Sequence, residues 1–176
     1  MVSSGLLLCS FYLKKRFQRG NDEPIPLNET LEFNDEDKKA HSISDIFEMI
    51  RQFCTFNADG ADDEKSMKLF SINPKSIKEY DVSAYKAMSF IISSGSYGIE
   101  STITDRHTRE IKYQCGEDDA SVKDFRCLVF VPKDTDTVQV SKGILIFQTL
   151  GAYGVKTITV KQMKAFFSGI DLTLET

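Results

Sequence analysis

The chain has 176 residues, of which 41% are hydrophobic and 27% are charged, and these values are ordinary for a globular protein. A chain of this length fits one domain, and it buries enough surface to fold without a metal ion or a disulfide. The formal net charge is −4, whereas a general nucleic-acid-binding domain usually carries a clear basic excess. Composition therefore predicts a single domain over residues 1–176 and argues against a general nucleic-acid binder.

The first apolar segment of the chain, residues 5–13, is followed by the basic residues Lys14, Lys15 and Arg16. A secretory signal would place its positive charges before the apolar run instead. The run is also much shorter than the roughly 20 residues that cross a bilayer. It therefore predicts a buried first strand, and we expect no membrane association.

A polar segment, residues 20–40, follows and is predicted to be a connecting loop because it contains two prolines and few apolar residues. The next segment has apolar side chains at helical spacing, namely Ile46, Phe47, Ile50, Phe53 and Cys54. Either Ser42 or Ser44 is expected to supply the N-cap hydroxyl of this helix.

Strand patterns then dominate, at residues 67–72, 87–93, 97–104, 109–115, 125–131 and 143–150. The first of these strands is expected to stop at Asn73-Pro74. The last two are almost continuously apolar, which predicts central strands covered on both faces. The pattern indicates an α+β fold, with a mostly antiparallel mixed sheet of about six to seven strands and two packed helices.

The second helix is predicted near the C-terminus, where Thr159 and Gln162 match a capping box. Residues 172–175 begin another strand, and no turn follows it before the chain ends. This pattern favours an edge strand, or a chain that is the N-terminal part of a longer protein.

The four cysteines, Cys9, Cys54, Cys115 and Cys127, are widely spaced and form no C-x-x-C pair. This usage, together with the apolar neighbours of most of these cysteines, predicts buried free thiols in a reducing, cytoplasmic compartment. We predict no metal site and no cofactor, since none of these residues belongs to a recognisable ligand motif.

A hairpin of residues 97–104 and 109–115 carries the sharpest enzymatic alternative. Glu110 and Lys112 have the E-x-K spacing of restriction-endonuclease-like nucleases, and Glu100 is a candidate second carboxylate. In such sites two carboxylates hold a divalent ion, and the lysine orients the water that attacks the phosphodiester. The apolar alternation predicts that Glu100 lies opposite Lys112, on one charged face. The other interpretation is a solvated hairpin with a cross-strand ion pair.

A dense basic cluster follows the first strand, formed by Lys14, Lys15, Arg16 and Arg19 around Phe17. Basic residues beside an aromatic ring are typical of sites that contact phosphates and stack on bases. Nucleic acid is therefore an alternative partner. The competing interpretation is the solvated end of a strand.

The sequence contains only two histidines and no arrangement typical of nucleophilic catalysis. We therefore expect a non-enzymatic protein–protein interaction or assembly module, and enzymatic activity stays open without being favoured. Its partner is another protein or a second copy, which pairs with a sheet edge, and Leu172–Leu174 is the candidate edge. The alternative is a metal-dependent nuclease or a nucleic-acid-binding domain.

Overall fold

The computed structural model describes residues 3–16, 23–28, 31–34, 40–43, 45–133 and 140–176. The helices are α1 (Ile46–Phe56) and α2 (Lys156–Gly169). The strands are β1 (Ser4–Lys15), β2 (Leu31–Asn34), β3 (Ala40–Ile43), β4 (Ala61–Asp63), β5 (Lys68–Val82), β6 (Tyr85–Ser96), β7 (Ser101–Thr104), β8 (Ile111–Cys115), β9 (Ser121–Pro132), β10 (Gly143–Leu150), β11 (Tyr153–Gly154) and β12 (Leu172–Glu175).

One large curled sheet organises the molecule, with the strand order β12-β1-β10-β9-β6-β5-β4 and with β11 added beside β10. Two small hairpins, β2–β3 and β7–β8, lie outside it. Among the described residues every strand pair is antiparallel. The predicted α+β class with two helices is confirmed in outline. The sheet was predicted to be mixed, but the described strands contain no parallel pair.

The hydrophobic core lies between one face of the sheet, here called the inner face, and the two helices. Phe90 and Phe147 of the sheet are fully buried together with Phe53 of α1 and Phe167 of α2. The helices also contact each other, since the ring centroids of Phe53 and Phe166 are 5.7 Å apart. Burial of these large rings is the main favourable contribution to folding.

The opposite face of the sheet, here called the outer face, is not covered as the sequence predicted. In β9 the buried residues Cys127 and Val129 alternate with the half-buried Leu128 and Phe130. In β10, Ile144 is 38% exposed. The prediction that both strands are covered on both faces is wrong, because the two helices pack on the same side.

The strand β5 continues past Asn73-Pro74, where the sequence analysis expected it to end. The register with β6 shifts between Asn73 and Lys78, so the proline lies in a bulge, where its missing N–H breaks no ladder bond. The hydroxyl of Ser76 accepts a hydrogen bond from the Ile91 N–H at 2.8 Å. A side chain thus replaces the backbone acceptor that the bulge removes.

The predicted loop over residues 20–40 also needs correction, because the short strands β2 and β3 lie partly within it. The rest of that segment falls mostly outside the described residues. Within the part of the chain that is described, neither helix is long and apolar enough to cross a membrane.

All four cysteines are free thiols, but the predicted burial holds for only two of them. Cys54 and Cys127 are buried, whereas Cys9 and Cys115 are partly exposed. Burial raises the pKa of the Cys54 thiol to about 12, and burial also raises the pKa of Cys127. The two buried thiols therefore stay neutral and behave as small apolar core residues.

Helix α1 is capped by the carboxylate of Asp45 instead of the expected serine hydroxyl. The Asp45 Oδ1 atom accepts hydrogen bonds from the backbone N–H groups of Phe47 and Glu48, both at 3.0 Å. A carboxylate in this position satisfies orphan donors and also interacts favourably with the positive end of the helix.

We expect Asp45→Ala to lower the free energy of unfolding by about 1 kcal/mol, because it leaves the first-turn N–H groups without their acceptor. Urea denaturation followed by circular dichroism measures the change. Asp45→Asn keeps the acceptor and is the matched control. Equal losses in both variants would show that the cap hydrogen bonds do not stabilise the helix.

The capping box predicted at Thr159 is wrong. Helix α2 begins at Lys156, and Val155 occupies the cap position without a side-chain hydrogen bond. Val155, Ile158 and Thr159 are all buried, so core packing places the helix start one turn earlier than the side-chain pattern suggested. The Thr159 hydroxyl is buried and has no hydrogen-bond partner among the described residues.

We expect Thr159→Val to raise the free energy of unfolding by about 1 kcal/mol, because it removes a buried, unpaired hydroxyl while preserving side-chain shape. Thermal and urea denaturation measure the change. Thr159→Ser is the control, since it keeps the hydroxyl and deletes the methyl group, and it should be destabilising. A stabilising serine variant would contradict this account.

Candidate interaction surface

The first strand, β1, has two different neighbours on its two sides. Residues Ser4 to Phe11 pair with β10 on one side, and residues Tyr12 to Lys15 pair with β12 on the other. On the β12 side no described strand pairs with residues 4–10. This segment is called the β1 edge below.

The hydrogen bonds at the two ends of β1 show which backbone groups face that edge. The Gly151 N–H donates to the Ser3 carbonyl at 2.7 Å, and this pair continues the register between β1 and β10. Because antiparallel bonding alternates along a strand, the odd-numbered residues bond to β10. At the other end the Arg16 N–H donates to the Asp171 carbonyl on the β12 side, at 2.8 Å. The backbone N–H and C=O groups of the even-numbered residues therefore point away from β10.

Four residues consequently present both their N–H and C=O groups along the β1 edge: Ser4, Leu6, Leu8 and Ser10. None of these groups has a partner among the described residues. Unpaired backbone groups of this kind are a template for adding another strand.

The side chains of the β1 edge are apolar and exposed. Leu6 is 67% exposed, Leu8 is 59% exposed and Leu7 is 39% exposed. The predicted burial of this strand is therefore wrong for its first half and correct only from Phe11 onward. No charged residue or proline interrupts residues 3–13, although such residues usually protect an edge from pairing.

The opposite side of the sheet does carry such protection. The last strand there, β4, is very short and contains Asp62 and Asp63. Its neighbour β5 carries Pro74 and a bulge, followed by the charged residues Lys78 and Glu79. Short, charged and bulged edges resist pairing with other chains. The contrast between the two sides makes the β1 edge the distinctive one.

The outer face extends the apolar surface away from the β1 edge. In the strand registers, Leu8 lies beside Ile146, which in turn lies beside Leu128. The next row contains Ile144 and Phe130. All of these side chains remain at least partly exposed. The β1 edge and the outer face thus form one continuous apolar surface.

A shallow depression of about 250 Å³ lies on this surface next to the edge. Leu6 and Leu128 supply its apolar walls, and the Gln148 side chain accepts a hydrogen bond from the Arg126 N–H at 3.0 Å.

A second concavity, a cleft of about 360 Å³, lies at the end of the sheet beside the β10–β11 turn. Lys68 and Lys123 line it, and the Lys123 Nζ atom is 4.3 Å from the Tyr153 ring centroid. Asp63 lies opposite Lys68 in the β4–β5 ladder. The Asp63 carboxylate also pairs with Lys161 at 2.7 Å. The charged side chains among the residues that line the cleft are Lys68 and Lys123, and Asp63 lies outside this lining.

The structure does not bring the candidate nuclease residues together. The register of β7 and β8 pairs Ser101 with Cys115 instead of placing Glu100 opposite Lys112, so the predicted register is wrong. Glu110 lies beside Asp105, because its carbonyl accepts from the Asp105 N–H at 2.8 Å. Glu100 and Glu110 are thus roughly 17 Å apart along the strands.

Lys112 is also directed elsewhere, since its Nζ atom lies 3.9 Å from the Asp105 carboxylate. Hydrogen bonds from the backbone N–H groups of Thr108 and His107 lower the pKa of Asp105. These contacts order the turn. Within the described residues no three His, Cys, Asp or Glu side chains lie close enough to hold a metal ion.

Two residues of the basic cluster, Arg16 and Lys14, make contacts near the end of β1. The Arg16 Nη1 atom donates to the Ser168 carbonyl at 3.0 Å and to its hydroxyl at 2.6 Å, and this connects β1 to the last turn of α2. The Lys14 Nζ atom lies 5.5 Å from the Tyr12 ring centroid. Lys15 is exposed, and Arg19 lies outside the described residues. Nucleic-acid contact through this cluster stays a prediction.

Sequence reasoning expected edge pairing through Leu172–Leu174 and missed the β1 edge. Strand β12 is the outermost strand of the large sheet next to β1, as predicted, and Leu172 and Leu174 are buried in it. The available signal was the uninterrupted apolar run at residues 5–13, which we interpreted as burial. No protein family matches this chain, and no curated protein or solved structure shows significant similarity to it.

We expect the purified protein to show no magnesium- or manganese-dependent cleavage of DNA or RNA, because Glu100 and Glu110 are too far apart to share one ion. Gel assays with single- and double-stranded substrates measure this. Cleavage that disappears in folded Glu110→Ala and Lys112→Ala variants, but persists in Glu117→Ala, would contradict the expectation and make this protein an enzyme.

Proposed function

We propose that this protein is a non-enzymatic interaction module that binds a partner by adding the partner's β-strand to the β1 edge. The observation that carries the proposal is the row of backbone groups on Ser4, Leu6, Leu8 and Ser10, which have no partner in the described part of the chain. In this mode of recognition, main-chain hydrogen bonds give affinity and the flanking side chains give specificity.

The side chains beside the edge define the kind of strand that it accepts. Leu6 and Leu8 project on the outer face, and Leu7 projects on the inner face. An added strand therefore meets apolar surface on both sides, and an apolar strand without charges in its middle fits best. The seven residues of the edge span about 24 Å, so the paired surface is small and the association is expected to be reversible.

The outer face supports the same function. Its half-buried residues, among them Leu128 and Phe130, lie two strands away from the edge. A partner that adds a strand and also covers this face buries more apolar surface than the edge alone provides. Apolar patches of this kind on a protein surface are typical of interaction sites.

We expect the protein to bind a fluorescent, extended peptide of about nine alternating valine and threonine residues. The same peptide N-methylated at alternate residues should bind at least about tenfold more weakly, because it lacks the N–H groups that pair with the edge. Fluorescence anisotropy measures both affinities.

A proline variant of the protein supplies the matched control. The Leu8 N–H points outward, so Leu8→Pro should abolish peptide binding while it retains the fold. The Leu7 N–H bonds to β10, so Leu7→Pro should lower the melting temperature instead. Equal binding of both peptides, or full binding by a folded Leu8→Pro variant, would refute the proposed function.

A further inference from the structure

We propose that the strand accepted by the β1 edge is β1 of a second copy of this chain, which makes the protein a homodimer with a continuous sheet. This inference rests on the proposed function and names its partner. The observation that carries it is the sequence of residues 4–10, Ser-Gly-Leu-Leu-Leu-Cys-Ser. It is a near-palindrome about Leu7, with serines at both ends and the small residues Gly and Cys in equivalent places.

A palindromic strand is complementary to itself when two copies run antiparallel around a two-fold axis. With Leu7 on the axis, Leu6 lies opposite Leu8 of the second copy, and Ser4 lies opposite Ser10. Each residue whose backbone groups face the β1 edge then lies opposite another such residue of the second copy. The four residues of each copy form hydrogen-bonded pairs, which gives about eight backbone hydrogen bonds.

The side chains match in the same register. Leu6 and Leu8 of the two copies meet on the outer face, and the two Leu7 side chains meet on the inner face. Gly5 lies opposite Cys9, so a partly exposed thiol meets a residue without a side chain. The leucines that are most exposed in β1 become the centre of the interface.

The charges favour this antiparallel arrangement. The β1 edge carries no charge, and the first charged residues of the strand are Lys14 and Lys15. In the antiparallel dimer the lysines of the two copies lie at opposite ends of the paired segment, roughly 48 Å apart. A parallel pairing would place them side by side, where like charges repel.

The paired segment lies between the two β12 strands of the proposed dimer. Strand β12 occupies the same side of β1 but stops with Glu175 opposite Tyr12. The last pair of the proposed dimer involves Ser10, two residues before that point. In the extended registers, Thr176 of one copy and Ser3 of the other both fall opposite Phe11, so one of these two residues turns out of the sheet when the dimer forms.

Symmetric cysteine cross-linking tests the register directly. In a Cys9→Ser, Cys115→Ser background, we expect Leu7→Cys to form a disulfide-linked dimer on mild oxidation. The two Cα atoms of a non-hydrogen-bonded antiparallel pair are about 4.5 Å apart, which a disulfide spans. Formation should be at least about tenfold faster than for Ile99→Cys, an exposed control position, because paired thiols face each other at high effective concentration.

Two further variants distinguish this register from neighbouring ones. Leu6→Cys and Leu8→Cys should each cross-link slowly alone and rapidly when mixed in equal amounts, because the proposed pairs are Leu6 with Leu8. Self-cross-linking of Leu8→Cys that is faster than that of Leu7→Cys would overturn the register. Sedimentation from about 1 µM to 1 mM should show a reversible dimer that Leu8→Pro abolishes.

The homodimer and the proposed function can be tested separately. A protein that binds the extended peptide, yet sediments as a monomer throughout and cross-links no faster at Leu7→Cys than at Ile99→Cys, would overturn the homodimer alone. Loss of peptide binding together with this monomeric behaviour would overturn both.

Discussion

The hydrogen-bond ladder between β1 and β10 is the interaction on which the structure and its candidate surface both depend. Its register directs the odd-numbered backbone groups of β1 into the sheet and the even-numbered groups outward. The alternation of strand side chains places Leu6 and Leu8 on the outer face at the same time. One short segment therefore anchors the sheet and presents its only long apolar edge in the described part of the chain.

The position of the helices explains why that edge is accompanied by an apolar face. Both helices pack on the inner face, where the phenylalanine-rich core supplies the stability of the domain. Neither of the two described helices packs on the outer face, and residues such as Leu128 and Ile144 keep part of their surface in solvent. A sheet with one covered face is stable alone, and its other face is available for contact with another protein.

The two sides of this sheet differ in how well their edges are protected from pairing with another chain. The β4 and β5 side has charges, a proline and a bulge, whereas the β1 edge has none of these. An unprotected apolar edge is an aggregation hazard unless a defined strand covers it. A self-complementary segment limits this hazard, because two-fold pairing closes after two copies and leaves no further edge of the same kind.

Local patterns in the sequence determined much of the fold. The helical spacing of Ile46 to Cys54, the apolar runs of β9 and β10 and the free cysteines all follow from residues close together in the chain. These predictions hold because backbone propensity and side-chain periodicity are local properties. The apolar run of β1 likewise identified a strand.

Tertiary structure decided the rest, because burial and pairing depend on residues that are distant in sequence. It left Leu6 and Leu8 exposed, buried Thr159 inside a helix that starts at Lys156, and separated Glu100 from Glu110 through a six-residue turn with Arg109 at a φ of 65°. Which strand lies next to β1, and where that neighbour ends, determines which backbone groups stay unpaired. The described part of β12 pairs with residues 12–15 of β1 and not with residues 4–10, and no periodicity within residues 4–10 contains that information.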